Sequence, residues 1–164
     1  GIRDTSVTGV QRVLFRSTIS IIFLIIFIYL IFKRLLYVLI SLISLLIAFM
    51  FSVFVMILFN INLNFANMIA LPLLYSLGIS FTIYFIKRFI QYEGKIDSVI
   101  SSNTPKAIIF SAATTMGSFS TLAISSHSGT SSMGLLLFIC LLMTVLSAVF
   151  ILPVLLSSFK FLIK

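Results

Sequence analysis

Between Leu35 and Phe59 the chain carries no charged residue, and the run is too long and too apolar for the core helix of a soluble domain. That stretch narrows the choices more than any other feature, because backbone polar groups crossing hydrocarbon must be satisfied within a helix or a closed barrel. The rest of the sequence repeats the pattern. It is 61% hydrophobic and 9% charged, with a mean hydropathy of +1.30. Stretches long enough to cross about 30 Å of hydrocarbon predict five helices, at residues 18–32, 35–59, 65–86, 107–124 and 133–156. The expected fold class is an all-α membrane protein built as a five-helix transmembrane bundle.

The connections between spans set the direction of crossing. Lys33, Arg34, Lys87, Arg88, Lys95, Lys106, Lys160 and Lys164 all fall on one side, whereas "NINLN" and "SSHSGTSS" on the other contain no lysine or arginine. The positive-inside rule makes the first side, and with it the C-terminus, cytoplasmic. A net charge of +8 distributed in this way is a topology signal rather than a nucleic-acid surface. Tyr37, Tyr75, Tyr84 and Tyr92 are candidates for an interfacial belt, since tryptophan is absent. The long connection, residues 87–106, reads as a partly amphipathic surface segment. Pro105 suits the first turn of the next helix, with Asn103 or Thr104 as its cap.

Arg3, Arg12 and Arg16 break the charge rule, because they precede the first span on its uncharged side. Back-translation of residues 1–17 yields consecutive pieces of a common short-read sequencing adapter, in order, with Thr5-Ser6 in the place of its index. The expectation is that these residues are translated adapter, make no packed contact, and leave the native chain truncated before Thr18. The first span would then keep roughly 22 Å of helix, short of a crossing.

Polarity inside the spans is confined to small and hydroxylated residues. The first two spans are nearly pure Leu, Ile, Phe and Val, which predicts that they face lipid. In the third, Pro72, Ser76 and Ser80 recur every four residues, with Gly78 between them. In the fourth, "FSAATTMGSFST" sets Ser111, Thr115 and Ser118 on one face, with Thr114 and Gly117 beside it. A weaker stripe in the fifth runs through Cys140, Thr144 and Ser147. Such stripes serve close helix packing and interhelical hydrogen bonds, or line a proton or substrate pathway. The expected arrangement places the third and fourth spans side by side, turning Ser76, Ser80, Thr115 and Ser118 inward. Pro72 and Pro153 are expected to kink or end their helices. Cys140 reads as a small buried apolar residue. His127, in the outer loop, reads as a loop residue or cap before a proton-handling group. No hydrolase elbow, paired carboxylates or metal-binding pattern occurs, so neither an enzyme nor a metal site is expected.

The segments "NINLNFANMIALPLLYSLGISFTIYFIKRF" and "PKAIIFSAATTMGSFSTLAISSHSGTSSMGLLLFICLLMTVLSAVFILPVLL" resemble the second transmembrane half of RND-superfamily permeases, in the MMPL-type branch and most nearly its hopanoid-associated members. The matching motifs are Leu63 to Asn67, Gly78 to Ser80, Thr114 to Phe119 and Ser126 to Gly134. The resemblance implies twelve spans in two repeated halves, of which these are the last five. It implies export of lipids or other hydrophobic molecules from the bacterial inner membrane, driven by the proton-motive force without a cofactor. The partners implied are the bilayer, the missing N-terminal half, a hydrophobic cargo and further copies in an oligomer, with no nucleic acid. One position departs from the pattern: Ser80 stands where the family has an acid, so the third span holds the place of a relay helix without a titrating group. The alternatives are a non-transporting membrane module, such as a sterol-sensing-like or assembly domain, and a self-sufficient five-span protein.

Overall fold

A computed structural model describes residues 2–59 and 65–159, with side chains at 15, 18–59 and 76–159. Among these residues the chain is all-α. Helix α1 covers Ile2–Phe32, α2 Leu35–Leu58, α3 Phe65–Gln91, α4 Ile96–Ile100, α5 Thr104–Ala123 and α6 Ser128–Leu146; a π-helical turn at Ser147–Ile151 then leads into α7 at Leu152–Ser158. The five long rods correspond to the five predicted spans. Leu35–Leu58 and Ser128–Ser158 are long and apolar enough to cross a bilayer, and Thr18–Phe32 is a shorter apolar helix. The outside of the bundle is as apolar as its core: Phe23, Phe51, Phe54, Ile57, Phe110 and Phe150 are all exposed. In water such a surface would be a large aggregation patch; in hydrocarbon it is neutral, which makes this a membrane protein.

Each turn at the basic end is closed by the backbone. Lys33 takes φ +52° and donates its N–H to the Tyr29 carbonyl at 2.8 Å, ending α1 in one residue. Helix α3 ends in a Schellman motif: Gly94 donates to Phe89 and Glu93 to Ile90, with Glu93 at φ +53° and Gly94 at +75°. The amphipathic reading of residues 87–106 holds, because α4 buries Val99 completely. Pro105 sits in the first turn of α5, as expected. The cap is different: Asn103 makes no side-chain cap bond, and the Ser102 hydroxyl receives the Thr104 N–H at 3.2 Å instead. Tyr37 also departs from the belt reading. It is buried against Phe32, ring centroids 5.7 Å apart.

Helix α1 continues upstream of Thr18 through the adapter-like residues. Phe15 is 68% exposed, and Val13 lies outside the described side chains.

Helix α2 corrects the expectation that the first two spans face lipid. Its residues Ser41, Ser44, Ala48 and Ser52 lie on a buried face packed mainly against α6. Leu, Ile and Phe on the other side of α2 dominate its composition, and they mask three serines at helical spacing. Pro153 does not end its helix. The π turn widens the backbone just before it, where a residue without an N–H interrupts the regular ladder, and α7 follows directly.

Candidate functional site

Among the described residues the buried serines and threonines are Ser41, Ser44, Ser52, Thr82, Thr104, Thr144 and Ser147. Ser147 donates to the Ser44 carbonyl at 2.7 Å, so its single proton is committed, and the 3.0 Å contact between the two hydroxyls has Ser44 as donor. Nearby, Ser52 donates to the Ala48 carbonyl of its own helix at 2.8 Å, and Thr144 donates back to the Cys140 carbonyl. The weak stripe of the fifth span is therefore a polar seam between α2 and α6. Reading Cys140 as a small buried residue was right: it is 5% exposed.

Because a membrane hydrogen bond contributes roughly 0.6 to 1.7 kcal/mol, a double-mutant cycle of Ser44→Ala and Ser147→Ala should give a coupling energy in that range. Unfolding measured in detergent micelles checks it. Strictly additive single mutants would show that the two hydroxyls do not depend on each other.

Gly78 closes the seam from α3. A Cβ placed there would lie 2.6 Å from both Leu45 Cδ2 and Thr144 Cγ2, so the absence of a side chain lets α2, α3 and α6 meet. Its neighbours in the predicted stripe lie elsewhere. Ser76 and Ser80 are exposed, and Ser80 Oγ donates to the Leu77 carbonyl at 2.6 Å. On α5, Ser111, Thr114 and Ser118 are exposed and Thr115 is half-buried. Their hydroxyls bond back within the helix: Thr114 and Thr115 to the Ser111 carbonyl at 2.8 and 2.9 Å, and Ser118 to Thr114 at 3.1 Å. The structure does not turn these residues inward or bring the two stripes together. Helix α3 packs chiefly on α6, and α5 presents its hydroxyl face outward. The reason is local. The sides of α3 and α5 that pack carry Phe81, Phe85, Phe89, Ile108 and Ala112, which fill the core better than serine.

Ser76 and Ser80 line a groove of about 520 Å³ between α1 and α3, whose walls include Ile19, Phe23, Phe27, Ile79 and Ile83. Toward the basic end the same face of α3 continues through Tyr84, Lys87, Ile90 and Gln91. Arg88 is held beside it: its Nε donates to Thr104 Oγ1 at 3.3 Å and its Nη1 to Gln91 Oε1 at 2.6 Å, with the guanidinium 5.8 Å from the Tyr92 ring centre.

At the opposite end His127 is exposed and occupies the N-cap position of α6 without a side-chain cap bond. Ser131 Oγ reaches across to the Ala123 carbonyl at 2.6 Å, and Gly134 presses directly on the backbone of Leu122 and Ala123. The Ser-x-His-x-Gly-Thr-x-Ser-Met-Gly turn is thus a tight hairpin, with Ser131 satisfying an orphan carbonyl of α5. Among the described residues no group of His, Cys, Asp and Glu could hold a metal.

No protein-family profile matches the chain. Over 118 residues, 72% of its length, it is 37% identical to the hopanoid transporter HpnN of Rhodopseudomonas palustris. Over 99 residues, 60% of its length, it is 41% identical to the hopanoid transporter HpnN of Burkholderia multivorans. The chain spans 13% and 11% of the lengths of these two relatives, respectively. It is therefore similar to one part of hopanoid-associated permeases of the RND superfamily, the branch to which its motifs pointed.

Proposed function

We propose, from this kinship, that the chain forms part of the membrane domain of a proton-driven RND-type permease moving hopanoid-like or other lipids out of the inner membrane. Its C-terminus lies in the cytoplasm, and its work is transport rather than catalysis. The observation that carries this reading is the outward hydroxyl face of α5. Ser111, Thr114, Ser118 and Thr121 are exposed there, and a Cβ at Gly117 would meet nothing within 4 Å. In hydrocarbon such a face is where another helix settles, because small side chains allow backbones to approach closely. The other half of the same permease is the natural occupant.

Among the residues whose side chains the structure describes, the only carboxylates are Glu93 and Asp97, both exposed in the connection at the basic end. A proton-driven cycle therefore takes its intramembrane acid from elsewhere in the protein, with Ser80 passing hydrogen bonds beside it. The test is lipid flux from proteoliposomes of the intact protein under an imposed pH gradient. Flux should follow the gradient, and Ser80→Ala should lower it about threefold, the equivalent of one membrane hydrogen bond. Flux indifferent to the gradient, or an intact gene with no intramembrane carboxylate in either half, would exclude proton drive and favour a non-transporting module.

A further inference from the structure

The last span changes its path at Ser147. The Ser147 N–H still points to the Met143 and Thr144 carbonyls, as in an α-helix, but its own carbonyl accepts from Leu152, five residues on. The turn Ser147–Ile151 therefore holds one residue more than an α-helical path needs. The two sides of this turn have different neighbours. Upstream, α6 packs chiefly on α5 and α3, whereas α7 packs on α2 and α4. The near side is pinned, because the Ser147 hydroxyl donates to the Ser44 carbonyl of α2 at 2.7 Å. On the far side Leu152, Pro153 and Leu156 are buried.

Pro153 accounts for the wide form of the turn. On a regular α-helical path its ring would press on the Val149 carbonyl, four residues back, and a π turn relieves that clash. The order of residues around it leaves a second form open. If the turn closed to α while the Ser44 bond held α6, each residue of α7 would advance about 100°, into the place of its successor. Ile151, Leu152 and Leu155 would then stand where Leu152, Pro153 and Leu156 stand, so the buried places would stay apolar. Leu156 would move to the exposed place of Ser157, where an apolar side chain meets lipid without loss. Burial therefore does not choose between the two forms. The proline ring does.

We infer that Ser147–Ile151 is a two-register joint in the last span. Pro153 holds it in the π form, and closing it turns α7 about its own axis while α6 stays in place. Because α7 packs on α4, the same rotation links the last span to the connection at the basic end. The device goes beyond the transport reading and depends on neither its driving force nor its cargo.

The test places one cysteine in the intact protein, by Leu155→Cys or Leu156→Cys, in a background free of other cysteines, Cys140→Ala included. Alkylation by N-ethylmaleimide is then followed in detergent micelles. With Pro153 present, the half-buried position 155 should react faster than the buried position 156. Pro153→Ala should invert that order, because position 156 turns outward and position 155 turns in. Deleting Phe150, which is 66% exposed, from the Pro153→Ala protein removes the extra residue and should restore the original order. Helical content by circular dichroism should stay the same throughout. An order unchanged by Pro153→Ala, both rates rising together as in a frayed end, or an inversion that survives the deletion would each overturn the inference.

Discussion

Valine in place of Gly134 should prevent recovery of folded protein. A Cβ at this position would stand 2.5 Å from the Ala123 nitrogen and 2.8 Å from the Leu122 carbonyl carbon. Both are backbone atoms of α5, so no rotamer change can relieve the contact; α5 and α6 would have to separate. These two helices form the most extensive pairing in the bundle, and Ser131 ties their ends through the Ala123 carbonyl. Overpacking in a tight core costs about 1 to 3 kcal/mol, and rigid backbone on the far side places this case at the upper end or beyond. Gly134→Ala alone should cost about 2 kcal/mol or more. Detergent-solubilised yield and unfolding by a denaturing detergent measure both. A Gly134→Val protein as stable as the parent would mean that α5 and α6 do not cross where the structure has them cross.

Gly78 should behave differently under the same treatment. Its added Cβ would meet only the tips of Leu45 and Thr144, at 2.6 Å each. Side-chain ends can move by rotation, although Thr144 is tethered to the Cys140 carbonyl and Leu45 is 7% exposed in the core. Gly78→Ala is therefore expected to cost about 1 kcal/mol, and Gly78→Leu about 3 kcal/mol, because the larger side chain must displace α3 from α2 and α6 together. The diagnostic quantity is the ranking of the two alanine variants in one unfolding assay. If Gly78→Ala proves more damaging than Gly134→Ala, the distinction between movable side chains and immovable backbone fails.

The two glycines also show why motifs that resembled a permease do not map simply onto a pathway. Gly78 lies in the Gly-x-acid-like motif but serves as the meeting point of three helices. Ser80, two residues on, looks into a groove on the opposite side of α3. The hairpin motif from Ser126 to Gly134 contains His127, whose imidazole is exposed, while Ser131 and Gly134 set the turn. Spacing along a helix shows which residues share a face. It does not show what that face meets.

Linear order was enough to establish the all-α membrane class, the five long helices, the tight Lys33-Arg34 turn, the amphipathic connection and the place of Pro105. Each depends on local chemistry: uncharged runs long enough to cross hydrocarbon, a backbone that must bond to itself there, and a proline that suits only a first turn. Tertiary structure alone decided which small residues became the core. Ser44 and Ser52 looked incidental among Leu and Phe, yet both are buried and Ser44 pairs with Ser147 of the weak fifth-span stripe, whereas Ser76 and Ser80 of α3 and the denser stripe of α5 lie on the outside. The physical reason is that lipid and protein interior are equally apolar. Hydrophobicity therefore cannot sort the faces of a membrane helix as water sorts those of a soluble one, and that choice falls to shape, close approach and a few hydrogen bonds between distant segments.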